Sequence, residues 1–242
     1  MRLRKYLYDN KIVISETEAY VKSLNKLLIF LKNQKEVLAC CLIGSLARNE
    51  YVLGQSDIDI LLLVSDTEIM KIIVAVNKRY LLGLRFENNI YSGYIGKNAI
   101  SIAVRQYDKF LSHILKIMDA KYLISIFQPW VIGGEIPEVI LSDIVSAIIF
   151  SDKKGELNRL QKILQAKFPE NLATIGKLKL KKALNMKCIQ AINCLETGKT
   201  FLGVLGMYEA VILLSRIYCI KNKKYHPGFK HIIKDKKFIN TY

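Results

Sequence analysis

Short apolar runs separated by polar stretches dominate the first part of the chain. Unbroken apolar runs at 37–43 and 58–64 predict two buried strands. Two further strands are predicted at 90–95 and 99–104. The residues between them, Gly96-Lys97-Asn98, have the composition of a turn. The pattern therefore predicts four strands within the first half of the chain.

Leucine and isoleucine at spacings of three and four predict helices elsewhere, and these become dominant after residue 105. Capping-box motifs precede the first two helices, and proline or glycine ends several of the others. The predicted helices cover residues 15–36, 69–82, 107–127, 137–147, 157–168, 172–197 and 200–221. Residues 147–150 fit either a helix end or a strand. The order of elements predicts an α/β part over 1–120 and a helical part over 121–242.

The composition is that of a globular protein. The chain has 242 residues, of which 51% are hydrophobic and 24% charged, so disordered and collagen-like classes are excluded. No uninterrupted apolar run reaches the roughly 18 residues of a membrane span, and no apolar signal-peptide core follows the basic N-terminus. The sequence predicts a cytoplasmic protein without a membrane partner. Five cysteines without a Cys-x-x-Cys pair indicate neither a disulfide framework nor a zinc site.

Positive charge is concentrated towards the C-terminus. The formal net charge is +16, and residues 171–242 hold 14 Lys and Arg against three acidic residues. A basic surface of this kind fits an anionic partner such as RNA, and it fits equally a lysine-rich solvated helix surface. Charge alone therefore leaves both interpretations open.

Two neighbouring segments carry the candidate chemistry. Ile43-Gly44-Ser45 ends the first predicted strand, and Asp57-Ile58-Asp59-Ile60 begins the second. Because alternate residues of a strand point to the same side, both carboxylates share one face while the isoleucines enter the core. Paired carboxylates and substrate phosphates suit Mg²⁺, and two ions about 4 Å apart suit an in-line phosphoryl-type displacement. Gly44 allows a phosphate close to the backbone, and the Ser45 hydroxyl and the following N–H groups can bind it.

These motifs resemble the signature of the nucleotidyltransferase superfamily that shares the DNA polymerase β palm. The likeness is greatest to the branch with kanamycin and other aminoglycoside nucleotidyltransferases, which pair an α/β domain with a helical domain. The resemblance implies an α+β fold with an N-terminal mixed-sheet nucleotidyltransferase domain and a C-terminal helical bundle. It implies a transfer of a nucleoside monophosphate, most simply AMP, from an NTP with two Mg²⁺ ions. Asp57 and Asp59 would be the catalytic metal ligands, and Gly44 and Ser45 would lie at the triphosphate.

Four more residues have predicted roles. Arg48, one turn beyond Ser45, contacts a phosphate or is solvated, and Ser56, beside Asp57, is assigned with it to the nucleotide-binding site. The resemblance suggests the roles of the other two. Lys230, after the aromatic and proline residues of the tail, would neutralise charge on the leaving pyrophosphate. Glu209, in the last long predicted helix, would be the general base.

One position departs from the family pattern. The family usually places a third carboxylate on the next strand, where this chain has Ser101. Three interpretations remain open: Glu87 substitutes for the missing acid, Glu209 supplies it, or the protein binds nucleotide without transferring it.

The leading functional prediction is transfer to a hydroxyl of a small molecule, with antibiotic resistance as one outcome. An aminoglycoside would require a local acidic cleft, formed by Glu87, Glu135, Glu138 and Glu209. The alternatives are transfer to RNA such as a tRNA end, as toxin-type members do, and a catalytically silent binding protein. Binding to RNA would use the lysines between 177 and 187 and between 221 and 237, and would weaken steeply with salt. A homodimer that completes the site also remains open.

Overall fold

The structure is a computed structural model, and it describes residues 18–50, 56–65, 69–80, 82–87, 90–95, 98–121, 136–232 and 236–240. The described strands form one six-stranded sheet in the order β3-β4-β5-β2-β1-β6. They are β1 (Val37–Ile43), β2 (Ile58–Val64), β3 (Arg85–Glu87), β4 (Ile90–Ile95), β5 (Asn98–Gln106) and β6 (Ile148–Asp152). The predicted capping box at Ser15 and the turn residues 96–97 lie outside this description.

The sheet is mixed, which confirms the predicted α+β fold. Strands β2 and β5 are parallel, and every other neighbouring pair is antiparallel. The strands predicted at 37–43, 58–64 and 90–95 match β1, β2 and β4 in their bounds, and the predicted 99–104 lies within β5. Strands β1 and β2 are buried along most of their length, as expected for strands covered on both sides.

The described helices are distributed over both parts of the chain. They are α1 (Glu18–Lys32), α2 (Gly44–Ala47), α3 (Ile69–Tyr80), α4 (Tyr107–Met118), α5 (Pro137–Ser146), α6 (Glu156–Ala166), α7 (Lys177–Glu196), α8 (Thr200–Lys221), α9 (Phe229–Ile232) and α10 (Lys236–Ile239). A π-helical segment at Leu172–Gly176 leads into α7. The buried core of the sheet is formed by leucine, isoleucine and valine from α1, α3 and the central strands.

The chain divides into two compact units. The sheet unit contains Met1–Ser112 and Ser146–Lys162, and the helical unit contains His113–Val145 and Ile163–Tyr242. The single boundary expected near residue 120 stays a prediction, and the ambiguous segment at 147–150 contributes residues 148–150 to β6, which pairs with β1 within the sheet unit. The chain therefore returns to the sheet unit once before it completes the helical unit.

Two predicted helices end at least four residues earlier than their apolar patterns indicate. Helix α4 was expected to reach 127 and ends at Met118, where Ala120 takes a left-handed φ of 55° and Lys121 N–H donates to the Lys116 carbonyl. Helix α1 was expected to reach 36 and ends at Lys32. The Ala120 turn uses a residue other than glycine, so the sequence gives no stop signal there.

Helix α8 is long and apolar enough to cross a membrane by length and composition, and it alone meets that test among the described residues. Half of its most apolar window is buried inside the protein. A core helix meets the same test, so the finding is weak support for a membrane span. The buried part lies towards the C-terminal end of α8, which includes Ser215, Arg216 and Ile217.

Candidate functional site

The paired carboxylates lie at the start of β2, as the sequence pattern predicts. Asp57 immediately precedes the strand and Asp59 is its second residue, and both side chains are half-buried. Ile58, between the two aspartates in the sequence, and Ile60, after Asp59, are both fully buried. The alternation therefore turns the isoleucines into the core and leaves the two aspartates on the opposite face.

Gly44 packs directly against this pair. Ile43, at the end of β1, is the register partner of Asp59, and Gly44 follows with a φ of +70°. A Cβ atom at position 44 would overlap the Asp59 carboxylate oxygen Oδ2. Position 44 therefore requires glycine for two reasons, since the backbone is left-handed and the side-chain space is already filled by Asp59. Ser45, the next residue, is buried within the short helix α2.

Ser101 lies on the strand beside the two aspartates. Strand β5 runs parallel to β2, and Ser101 is the register partner of Asp59. The Ser101 hydroxyl donates a hydrogen bond of 3.1 Å to Asp57 Oδ2. The position where the family pattern has a third acid is therefore adjacent to the carboxylate pair, and it supplies a neutral donor in place of a negative charge.

The donor set fits a cation that is shared with a substrate. No group of three or more His, Cys, Asp or Glu side chains suited to a metal ion occurs within the described ranges. Mg²⁺ is commonly held by one or two carboxylates together with substrate phosphates and water. Asp57 and Asp59, beside Gly44, match that type of site and not a cage made entirely of protein ligands.

Arg48 and Ser56 are close in sequence to Asp57 and Asp59. The structure describes both of them, but it does not describe the Lys230 side chain. Arg48 ends α2, is largely buried, and pairs through Nε with Glu50 Oε2 at 3.0 Å. Ser56 is half-buried and directly precedes Asp57. The Lys230 side chain lies outside the described residues, so its assignment stays a prediction.

The backbone of Glu87 lies at the edge of the sheet, three strands away from the strand that carries Asp59. It ends β3, the edge strand, and pairs with Ile90 of β4. Strand β3 is separated from β2 by β4 and β5, which corresponds to roughly 14 Å across the sheet. Its backbone position argues against Glu87 as the substitute for the missing acid.

Glu209 is buried on α8 and has a partner inside the helical unit. Its carboxylate forms an ion pair with Lys187 of α7. Its side chain is only 5% exposed, so the charge is held by Lys187 and not by solvent. The assignment of Glu209 as general base stays a prediction, and the ion pair gives this residue a structural role as well.

The helical unit also contains a buried ion pair that sequence reasoning missed. Arg216 of α8 donates from Nε and Nη2 to the Glu138 carboxylate of α5 at 3.1–3.2 Å, and both side chains are almost completely buried. Neither residue stands out in its sequence, since a helix glutamate and a helix arginine are normally at the surface. Their partnership depends on the packing of two helices that are distant in the chain.

His226 belongs to a second buried network beside this ion pair. Gly228 N–H donates to His226 Nδ1, so the other ring nitrogen Nε2 carries the proton of the neutral ring and donates to Ser215 Oγ at 2.9 Å. Ser215 in turn donates to the Ile212 carbonyl. Burial, together with the Arg216 charge, lowers the pKa of His226 to about 3. The serine and histidine thus complete a structural hydrogen-bond chain.

The lysines between 177 and 187 are partly used inside the protein. Lys179 Nζ donates to the Ala120 carbonyl, and Lys187 pairs with Glu209. Lys181 and Lys182 are exposed. The RNA-binding surface expected for this segment therefore has fewer cations available than the sequence suggests.

Comparison with known proteins places the carboxylate site inside a recognised domain. Residues 24–127 match the family model of the nucleotidyltransferase domain. The solved structure of a nucleotidyltransferase-like protein from Exiguobacterium sibiricum 255-15 aligns with a TM-score of 0.46 and 13% identity, covering 89% of this chain and 63% of that one. The chain thus spans less than two thirds of that protein's length. No curated protein sequence matches the chain.

Proposed function

We propose that this protein transfers a nucleoside monophosphate, most simply AMP, from an NTP to a hydroxyl group, with Asp57 and Asp59 as the metal ligands. The observation that carries the proposal is the fit between Gly44 and Asp59, within the segment that matches the nucleotidyltransferase family model. A carboxylate pair beside a glycine backbone is suited to a triphosphate that shares a cation with the protein.

The reaction balances without an oxidant or reductant. The acceptor oxygen loses its proton and forms a bond to the α-phosphorus of the NTP, and the bond from that phosphorus to the bridging oxygen breaks. Pyrophosphate leaves with the electron pair of the broken bond. Mg²⁺ held by Asp57 and Asp59 would stabilise the negative charge that develops on these oxygens.

The remaining site residues have supporting assignments. Gly44 and Ser45 would contact the terminal phosphates, and Arg48 and Ser56 would extend that contact on either side. Lys230 would neutralise the leaving pyrophosphate, and Glu209 would receive the acceptor proton. For Glu209 to act in this way, its ion pair with Lys187 must open or exchange partners, because the Lys187 ammonium occupies a carboxylate oxygen that would have to contact the acceptor.

The acceptor is proposed to be a small hydroxyl compound that does not carry many positive charges. Two acidic residues expected to form an acidic cleft, Glu138 and Glu209, are each neutralised by a cation of their own unit. They therefore add little attraction for a polycationic aminoglycoside. This argues against a role in aminoglycoside resistance while leaving the transfer chemistry intact.

A catalytically silent nucleotide-binding protein is the second candidate, and Ser101 is the observation that favours it. The Ser101 hydroxyl, which donates a hydrogen bond to Asp57, occupies the position of a carboxylate that would bind the cation or accept a proton. Binding through Asp57 and Asp59 requires no third acid, whereas an efficient transfer step normally would.

Thermal-shift titration with each of the four NTPs, with and without Mg²⁺, tests the binding site. Wild type is compared with Asp57→Asn/Asp59→Asn, and with Asp108→Asn as an exposed aspartate control from the same unit. A bound nucleotide raises the melting temperature with concentration. The proposal expects a Mg²⁺-dependent rise in wild type and in the control, and none in the double variant. A wild type that ignores every NTP contradicts it.

Pyrophosphate release separates the two candidate functions. The protein is incubated with the NTP that stabilises it and with panels of neutral and anionic hydroxyl compounds, and an aminoglycoside and tRNA are included as other acceptor classes. Release that depends on an acceptor and disappears in Asp57→Asn/Asp59→Asn supports transfer. Nucleotide binding without release from any acceptor favours the silent protein.

A further inference from the structure

One face of the sheet carries a straight row of polar residues that begins at the carboxylate pair. Asp59 of β2 is the register partner of Ser101 on β5, and Ser101 is the register partner of Ser92 on β4. Ser92 is in turn the register partner of Arg85 on β3, the edge strand. We term this line, Asp59–Ser101–Ser92–Arg85, the transverse row. All four residues belong to the sheet unit.

The side chains of the transverse row lie on the face opposite the buried core of the sheet. Tyr91 of β4 belongs to that core, whereas its neighbour Ser92 is exposed. Phe86 of β3 stacks on Tyr91 with ring centroids 4.8 Å apart, so Phe86 lies on the core side. Because side chains alternate along a strand, Arg85 lies on the same face as Ser92. Arg85 is exposed there.

Small side chains lie between the two ends of the row. Ala99 and Ala103 flank Ser101 on the same face of β5, and all three residues are half-buried. Tyr94, the register partner of Ala99, is 63% exposed and borders this surface. The two serines of the row and the two alanines therefore leave a low surface between the charged ends of the row.

The two ends of the row carry opposite charges and lie three strands apart. The backbones of Asp59 and Arg85 are separated by roughly 14 Å, and both side chains shorten this gap. Among the described residues, none forms an ion pair or a hydrogen bond with the Arg85 guanidinium. A guanidinium binds phosphate and carboxylate groups through two parallel hydrogen bonds. An anionic group of a bound molecule is therefore the matching partner of Arg85.

We infer that the transverse row binds the acceptor, and that the acceptor is a small hydroxyl compound with a phosphate or carboxylate group. The anionic group would bind Arg85, and the reacting hydroxyl would lie at the opposite end of the row, beside Asp57 and Asp59. This inference rests on the proposed function, because it assigns a chemical class to the acceptor of the same transfer. An RNA acceptor would require a cluster of cations for its many phosphates, whereas the row has a single one.

Nuclear magnetic resonance of the full chain tests the contact with Arg85 directly. The Nε–Hε signals of the arginines are followed in isotope-labelled protein, and the Arg85 signal is assigned with Arg85→Lys. Glucose 6-phosphate and gluconate are the anionic probes, and glucose is their neutral counterpart. An anionic probe is expected to shift the Arg85 signal to saturation, whereas glucose should not. Arg159, an exposed arginine of α6 in the same unit, is the internal control and should stay unshifted.

Pyrophosphate release measures whether this contact serves the transfer. Each anionic compound of the acceptor panel is compared with its neutral counterpart, and kcat/KM is expected to be about tenfold higher for the anionic member. Arg85→Gln should remove this preference through KM and leave the neutral member unchanged. Arg85→Lys, which keeps the charge without the two parallel hydrogen bonds, should retain part of it. Arg159→Gln should leave the preference intact.

The outcomes separate this inference from the proposed function. An Arg85 signal that responds only to glucose 6-phosphate, or only to gluconate, supports the inference and identifies the anionic group. Equal shifts of Arg85 and Arg159, an equal loss with anionic and neutral acceptors in Arg85→Gln, or release with tRNA alone overturns it. A protein whose melting temperature ignores every NTP removes the function itself. Binding of NTP with an unshifted Arg85 signal removes only the acceptor assignment.

Discussion

Gly44 lies so close to Asp59 that a methyl group at position 44 would overlap the carboxylate oxygen Oδ2. Gly44→Ala is therefore expected to displace Asp59 and to abolish the Mg²⁺-dependent thermal shift with NTP. The left-handed backbone adds a strain of about 1 kcal/mol. Gly155→Ala is the control, because Gly155 has a φ of +76° with nothing near its Cβ, so only the strain remains. Equal loss of nucleotide response in both variants would contradict the expectation.

Ser101 offers a direct test of the missing acid. Ser101→Asp places a third carboxylate beside Asp57 and Asp59, which should lower the melting temperature without metal through repulsion and increase the stabilisation by Mg²⁺. Ser92→Asp is the control, since Ser92 is the register partner of Ser101 one strand farther out, roughly 10 Å from β2. Thermal shift against Mg²⁺ concentration is the measurement. An unchanged response in Ser101→Asp would show that this position does not reach the cation.

Glu209 is predicted to have separable effects on stability and on transfer. Glu209→Gln and Lys187→Met both break the ion pair between the buried Glu209 carboxylate and the partly exposed Lys187, so both should lower the free energy of unfolding. Only Glu209→Gln should also remove pyrophosphate release while leaving nucleotide binding unchanged, if the carboxylate is the general base. The comparison uses thermal unfolding and pyrophosphate release on the same preparations. Full activity in Glu209→Gln would eliminate Glu209 as the base.

The Glu138–Arg216 pair should be essential for stability of the helical unit. Removing one partner with Glu138→Gln leaves a buried charge unpaired and is expected to cost about 3–5 kcal/mol. The matched control is Glu170→Gln, which breaks the exposed pair with Lys167 and should cost less than about 1 kcal/mol. Urea unfolding followed by circular dichroism measures both. A small loss in Glu138→Gln would mean that Arg216 finds another partner.

His226 predicts a specific loss of stability in mild acid. Its folded pKa is about 3 and its ordinary value is 6.5, so between these values the unfolded chain binds a proton that the folded chain does not. The contribution of His226 to the free energy of unfolding is therefore fully present well above pH 6.5. It decreases as the pH falls, by about 2 kcal/mol from pH 6.5 to pH 5. Urea unfolding of wild type and His226→Gln at both pH values checks this, and the variant should show the smaller decrease.

The sequence by itself determined the local parts of the site. The Asp57-Ile58-Asp59 alternation fixed both carboxylates on one strand face, because a strand has a period of two, and the apolar runs of β1 and β2 located that strand within the protein. Gly44 also stands out in the sequence, because a glycine between a buried strand and a serine indicates a turn in which the backbone is approached closely. Each of these inferences depends on residues that are near one another in the chain.

The tertiary structure decided what distant segments do to one another. The return of β6 to the sheet, the adjacency of Ser101 and Asp57, and the pairing of Glu138 with Arg216 join residues from 44 to over 100 positions apart. No local pattern encodes such partners, because burial and register are set by packing of the whole unit. Burial along α8 was unpredictable for the same reason. The helix is apolar around its whole circumference in sequence, so only its packing decides which residues are buried and which are exposed.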